Sequence, residues 1–155
     1  METYHKAKFA NLGIADNFVQ DNWSCSRKGV LRGLHYQLNR PQAKLCRVIE
    51  GEALDVVVDI RSGSRERLKW ICVRLSADQR NQIYIPTGFA HGFLALTENT
   101  QFVYKCSDFY ERDDEKGIIW NDPDLAIQWD ISDPILSDKD SGYRRLADIP
   151  DKELP

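Results

Sequence analysis

The sequence lacks several features that mark whole classes of protein. It has no apolar run of membrane-spanning length, and charged residues follow Met1 where a secretory signal would have an apolar region. Lys and Arg are not clustered in any one segment, and the formal net charge is −3. Duplex nucleic acid is therefore not an expected partner. We expect a cytoplasmic protein that binds neither a membrane nor nucleic acid.

Cysteine and histidine are both scarce, which restricts the kinds of site that the chain can build. The four cysteines are widely spaced and include no Cys-x-x-Cys pair. That spacing is not typical of a disulfide framework or a zinc site, so we expect reduced thiols, three of them on strands. With only three histidines in the chain, a metal centre made mainly of imidazoles is not expected.

Amphipathic helices are also nearly absent, and short strands take their place. A chain of 155 residues with 42% hydrophobic and 29% charged residues is expected to form one domain with a real core. One helix is predicted over 2–12, with Phe9 and Leu12 facing inward and Gly13 ending it. The predicted strands are 45–50, 52–60, 69–75, 82–85, 91–96, 101–106, 118–120 and 127–129. Gly51 would form a tight hairpin between the first two.

Many short strands at even spacing favour an all-β protein, and a jelly-roll barrel holding a ligand at its mouth is the expected form. The stretch 29–37 is the most unusual of these strands, because it carries Arg32 and His35 among apolar residues. Residues three apart on a regular strand face opposite ways. Gly33 lies between them and predicts a bulge that would bring both side chains to one face. The alternative is an ordinary strand with a surface arginine and a hydrogen-bonded histidine.

A second motif, Pro86-Thr87-Gly88-Phe89-Ala90-His91, forms a turn that leads into a strand beginning at His91. Its spacing resembles the second motif of cupins, in which the histidine points into the barrel. Metal-binding cupins also need two histidines one residue apart in a first motif. Gln37 stands where the second of those would be, so the ligands are too few and no metal is expected.

Four motifs in the same order resemble the dTDP-4-dehydrorhamnose 3,5-epimerase family over residues 2–140. They are Phe18-Val19-Gln20-Asp21-Asn22, Val30-Leu31-Arg32-Gly33-Leu34-His35-Tyr36-Gln37, Ile85-Pro86-x-Gly88-Phe89-Ala90-His91-Gly92-Phe93 and Ile119-Trp120-Asn121-Asp122-Pro123. The resemblance implies a jelly-roll cupin that works without metal or other cofactor, usually as a homodimer, on a dTDP-sugar. The substrate would be dTDP-4-dehydro-6-deoxy-D-glucose, inverted at C3 and C5.

The resemblance also implies catalytic roles. His35 would be the base, Asp140 would hold the imidazole, Tyr104 would return a proton from the other face, and Lys44 would lie at the ketone oxygen. The substrate-binding residues that it implies are Glu2, Gln20, Asn22, Arg32, His91, Phe109, Glu115 and Lys139. Each catalytic assignment has a structural alternative: a half-buried core tyrosine, a solvated lysine, or an aspartate that caps a turn.

Two further expectations concern the whole protein. Family members usually have strands before the position that Glu2 matches, so we expect this chain to lack them and to have a weaker dimer and weaker nucleotide binding. Besides the 3,5-epimerase, the sequence leaves open an epimerase that acts at C3 alone in another deoxysugar pathway. It also leaves open a non-catalytic sugar-nucleotide binder, although a binder would need neither an acid nor a base.

Overall fold

The computed structural model describes residues 1–155, and short strands make up most of it. The strands are β1 (Gln20–Ser26), β2 (Leu31–Gln37), β3 (Lys44–Glu50), β4 (Glu52–Asp59), β5 (Trp70–Ser76), β6 (Ile83–Ile85), β7 (Phe89–Ala95), β8 (Thr100–Cys106) and β9 (Glu115–Gly117). Helix is limited to α1 (Lys6–Asn11), α2 (Asp138–Ser141) and two 3-10 turns, Leu146–Asp148 and Asp151–Glu153. No helix has the length and apolar character needed to cross a membrane.

The strands form two antiparallel sheets that pack face to face. One has four strands in the order β1-β8-β3-β6, and the other has five in the order β5-β4-β7-β2-β9. Strands that are neighbours in a sheet are mostly far apart in the chain, as in a jelly roll. The predicted all-β jelly-roll fold is confirmed.

The five-stranded sheet is covered on both of its faces, and β4 illustrates this. Ala53 and Val57 on one face of β4 pack between the sheets, against residues such as Phe102. Val56 and Val58 on the other face pack under the C-terminal segment. Residues of that segment in this second core include Leu125, Trp129, Leu146, Ile149 and Leu154. The alternation of side chains along β4 therefore separates two cores, not a core from solvent.

The predicted hairpin at Gly51 is wrong. β3 pairs with β6 and β8, whereas β4 pairs with β5 and β7 in the other sheet. Gly51 instead forms the corner between the sheets, with a positive φ of 76°, and a Cβ there would lie 2.2 Å from Thr97 Oγ1. A corner and a hairpin both need a glycine of this conformation, so the local signal does not distinguish them.

Three smaller predictions need correction. Helix α1 is shorter than predicted, and Leu12 is its C-cap residue, with 77% of its surface exposed and not facing inward. The predicted strand 118–120 is only an isolated bridge at Ile118, and the strand in this region is β9, which ends just before it. The predicted strand 127–129 is not a strand in the structure. All four cysteines, not three, lie on strands, since β1 continues through Cys25. All four are free thiols.

Candidate active site

The bulge predicted at Gly33 is confirmed, and it sets the geometry of the site. β2 pairs Arg32 with Phe93 and then His35 with His91, so the register shifts between them. Gly33 has φ +117°, and a Cβ there would lie 2.5 Å from the Cα of Gly92. Only glycine permits this approach of two backbones. As a result Arg32 and His35 line the same cavity.

The cavity lies between the two sheets and has walls from both. His35 and His91 come from the five-stranded sheet, and Lys44 and Tyr104 come from the four-stranded sheet. The other polar or charged side chains that line it include Gln20, Asn22, Arg32, Gln37, Gln42, Tyr110, Glu115 and Lys139. Groups on opposite walls can reach opposite faces of a molecule bound between them.

His35 and Asp140 form a close pair although they are 105 positions apart in the chain. His35 Nε2 lies 2.5 Å from Asp140 Oδ1, and the same oxygen accepts the N–H of Gly33 at 3.4 Å. The Ser137 hydroxyl donates to Asp140 Oδ2 at 2.7 Å, and Ser137 also caps α2. The buried carboxylate is therefore held by three groups, and it orients the imidazole through Nε2. The other ring nitrogen, Nδ1, has no partner in the protein.

Burial and charge together set the protonation of this pair. Burial lowers the pKa of His35 below its ordinary value, and this outweighs the opposite effects of the Asp140 hydrogen bond and charge. Burial alone would raise the pKa of Asp140, but its bonds to His35, Ser137 and Gly33 outweigh burial, and its pKa is lowered. At neutral pH the pair is a neutral imidazole beside a carboxylate, which is the state that a general base needs.

Tyr104 and Lys44 face the cavity from the opposite wall. The Tyr104 hydroxyl has no hydrogen-bond partner in the protein, and burial, followed by the nearby Cys106 and Cys46, raises its pKa well above the ordinary value. The hydroxyl therefore stays protonated near neutral pH. The Lys44 ammonium lies 5.9 Å from the centre of the Tyr104 ring and makes no ion pair. A proton donor and an uncommitted cation thus lie side by side.

A second histidine–aspartate pair lies next to the first, and the sequence analysis did not find it. His91 Nε2 is 2.8 Å from Asp55 Oδ2, and the fully buried Asp55 keeps its other oxygen without a partner. The sequence signal that could have revealed this pair is Asp55 itself, a charged residue among the apolar residues of strand β4. Cys46 completes a group of ligand atoms that lie within 4.8 Å of one another and are able to hold a metal ion. In this structure, however, His91 Nε2 is already hydrogen-bonded to the Asp55 carboxylate.

Several of the predicted binding residues are held in place by polar contacts at the edge of the cavity. Lys139 Nζ lies 2.5 Å from Glu115 Oε1, and Arg32 Nε donates to Ser26 Oγ at 3.3 Å. Gln20 donates to Asn22 at 3.0 Å, and the N–H of Tyr110 donates to Gln20 Oε1 at 3.0 Å. Tyr110 also lines the cavity and was missed in the sequence, where it has no motif around it.

Two predicted binding residues are not brought into the cavity. Glu2 is at the surface, with 51% of its side chain exposed, and pairs with Lys8 at 2.8 Å. Phe109 is 53% exposed and does not line the cavity, although its carbonyl accepts the Gln37 amide at 3.2 Å. Both lie outside the set of residues that surrounds His35.

Comparison with known proteins relates this arrangement to one family. A sequence model described as dTDP-4-dehydrorhamnose 3,5-epimerase matches residues 1–148. A relative of that name from Methanothermobacter thermautotrophicus is 47% identical over 153 residues, covering 97% of this chain and 83% of the relative.

Solved structures give the same relationship. A dTDP-6-deoxy-D-glucose-3,5-epimerase from Legionella pneumophila, in complex with dTDP-4-keto-L-rhamnose, superposes with a TM-score of 0.96 at 46% identity, covering 99% of this chain and 83% of that one. A 3'-monoepimerase from Streptomyces bikiniensis, in complex with dTDP-quinovose, has a TM-score of 0.87 at 36% identity, covering 94% of this chain and 75% of that one.

Proposed function

The chain belongs to the dTDP-4-dehydrorhamnose 3,5-epimerase family, and on that premise we propose which of its residues carry out the reaction. The protein is an isomerase that converts dTDP-4-dehydro-6-deoxy-D-glucose to dTDP-4-dehydro-L-rhamnose by inverting C3 and C5. Both carbons flank the C4 ketone. Removal of either proton therefore gives an enolate, whose charge is carried by oxygen. The reaction needs a base, an acid on the other face, and a positive group at the developing oxyanion.

His35 is the base. Its Nδ1 carries the free lone pair, since Nε2 is engaged by Asp140. As Nδ1 takes the substrate proton, the imidazolium that forms lies beside the buried carboxylate, which stabilises it and fixes its orientation. The lowered pKa of His35 supports this role, because the imidazole is neutral before the reaction.

Tyr104 is the acid, and Lys44 stabilises the enolate. Tyr104 returns a proton to the face of the carbon that is turned away from His35, which inverts the configuration. The burial that raises the pKa of Tyr104 keeps the hydroxyl protonated until then. Lys44 lies on the same wall as Tyr104, and its compact positive charge stabilises the negative charge that develops on the C4 oxygen.

The remaining cations and amides bind the nucleotide and the sugar. Arg32 is assigned to the diphosphate, for which a planar guanidinium is well suited. Five other residues that line the cavity are assigned to binding the sugar nucleotide: Gln20, Asn22, His91, Glu115 and Lys139. Phe109 is assigned to stacking on thymine, and its exposed ring is free for that contact. Glu2 is assigned to the same ligand.

One observation carries this assignment. His35 and Tyr104 are on opposite sheets, line one cavity, and each has a reactive atom without a protein partner. The experiment is incubation with dTDP-4-dehydro-6-deoxyglucose in deuterated water, with NMR to count the labelled carbons. Deuterium at C3 and C5 together with inversion is expected. If neither carbon exchanges, the assignment is wrong.

A second candidate is epimerisation at C3 alone. The similarity to a 3'-monoepimerase favours including it, because the same base, acid and cation would serve both reactions. The labelling experiment separates the two, since a C3 epimerase inverts C3 and leaves the configuration at C5 unchanged.

We also propose that the protein is a metal-free homodimer of the cytoplasm. The outer face of the four-stranded sheet supports the dimer, because Trp23 there is 69% exposed and lines one surface groove with the exposed Ile49. The free cysteines support a reducing compartment. Sedimentation at micromolar concentration tests the dimer, and a monomer would contradict it.

A further inference from the structure

Tyr143 packs behind His35 and does not line the cavity. It comes directly after Gly142, the C-cap of α2. Its ring lies on β9 at Gly117, where an added Cβ would be only 2.5 Å from the ring carbons. Gly117 is also the cross-strand partner of His35. The ring therefore fits behind the imidazole only because position 117 has no side chain.

Tyr143 contacts two functional groups at once. The edge-to-face contact between its ring and His35 has a centroid separation of 5.5 Å and an interplanar angle of 67°. Its hydroxyl donates to Glu115 Oε1 at 3.1 Å, the same oxygen that lies 2.5 Å from Lys139 Nζ. One side chain thus limits the tilt of the imidazole and the position of the carboxylate beside it.

The position of Glu115 affects the pKa of His35, because the carboxylate favours the charged form of the imidazole. Burial lowers the pKa of His35 most, Asp140 and Glu115 raise it, and Lys139 lowers it. The titratable or charged groups around His35 are Asp140 and Lys139 from α2, Glu115 from β9, Tyr143 after α2, His91 from β7, Arg32 from its own strand, and Lys44 and Tyr104 from the opposite wall.

We propose that Tyr143 is a positioning residue for proton abstraction. Its ring holds the plane of His35, and its hydroxyl holds Glu115 at a fixed distance from the imidazole. The inference rests on the proposed function, since it takes His35 as the base. Tyr143 does not itself line the cavity, although it contacts Glu115, which does. Its loss should therefore lower kcat by a larger factor than it raises KM.

Two substitutions separate the ring from the hydroxyl. Tyr143→Leu removes the edge contact, and kcat should fall about 10- to 100-fold, since a misplacement of about 1 Å can cost 10²-fold. Tyr143→Phe keeps the ring and should keep most of kcat. It removes a hydrogen bond from the Glu115 carboxylate, whose negative charge is then less screened at His35. The pKa of His35 should rise, so the acidic limb of the kcat/KM profile should move to higher pH. Tyr84→Phe is the matched control, because Tyr84 also donates to a carboxylate, that of Asp16 at 2.5 Å, away from the cavity. It should change neither kcat nor the profile.

A third variant and a direct measurement keep the test independent of folding and of turnover. Gly117→Ala should displace the Tyr143 ring and reproduce the loss of kcat seen in Tyr143→Leu. NMR titration of the His35 ring should give a higher pKa in Tyr143→Phe than in the parent. If the His35 titration, the pH profile and kcat of the Tyr143 variants all match those of the parent, the proposal is wrong and Tyr143 contributes only to packing. A variant that differs from the parent only by a lower melting temperature would lead to the same conclusion. A parent protein that exchanges no substrate hydrogen would defeat the proposed function, whereas the NMR titration would still judge this inference.

Discussion

Removing the Tyr104 hydroxyl is the cleanest perturbation that the structure offers. That hydroxyl has no protein partner, so Tyr104→Phe breaks no hydrogen bond of the fold. The ring keeps its packing on Phe102, at 6.1 Å between centroids, and its position near Lys44. The free energy of unfolding should therefore stay close to that of the parent. A loss of activity can then be assigned to proton transfer.

The size of the loss follows from the role of the hydroxyl. A general acid contributes about 10²–10⁴-fold, which is about 3–5 kcal/mol of activation free energy. His35 and Lys44 remain in Tyr104→Phe, so the enolate still forms. The proton on His35 exchanges with the deuterated solvent, and His35 then delivers a deuteron to the face from which the proton was removed. Inversion should fall by about 10²–10⁴-fold while deuterium still enters with retained configuration.

The assay measures deuterium uptake and configuration at C3 and C5 for each variant, and His35→Asn is the comparison. Without the base no proton leaves, so His35→Asn should lose both exchange and inversion. Equal inversion rates in Tyr104→Phe and the parent would refute the reasoning, and Tyr104 would then be a core residue. Exchange that persists in His35→Asn would mean that another group is the base.

Three other predictions test the base, the fold and the metal-free chemistry. Asp140→Asn removes the interactions that raise the pKa of His35, so kcat should fall about 10²–10⁴-fold and the acidic limb of kcat/KM should move to lower pH; an unchanged pH profile would contradict the pairing. The Arg61 hydrogen bond, against the opposing effect of burial, lowers the pKa of Asp59 to about 2. This stabilisation is present above about pH 4 and is lost as pH falls through about 2, because the unfolded carboxylate binds its proton first. Asp59→Asn should therefore lower the free energy of unfolding at pH 7 by about 1–2 kcal/mol, a discounted value since Arg61 is 47% exposed; denaturant unfolding at pH 7 and at pH 2 measures it, and an equal loss at both would refute the ion pair. Dialysis against a strong chelator should leave turnover unchanged, and activity that is lost and then restored by a divalent ion would defeat the metal-free proposal.

The chain by itself specifies the strands and the bulge. Alternating apolar residues and turn residues predict most of the strands within a residue or two, because side-chain direction on a strand depends only on local geometry. The shift at Gly33 is also local, since a glycine between Arg32 and His35 permits the backbone that a bulge needs. Family motifs added the assignment of His35, Tyr104 and Lys44, which act together although no local pattern links them.

Only the tertiary structure decides which distant residues meet and which faces are covered. Gly51 forms a corner and not a hairpin because β8 and β7, both later in the chain, supply the partners of β3 and β4. Asp55 is buried because the opposite sheet closes over its side of β4, and the alternation of side chains along one strand does not show that both faces are covered. Tyr143 reaches His35 because the chain after α2 returns across β9 at Gly117. Each of these contacts depends on chain closure over long sequence separations, which local backbone preference does not specify.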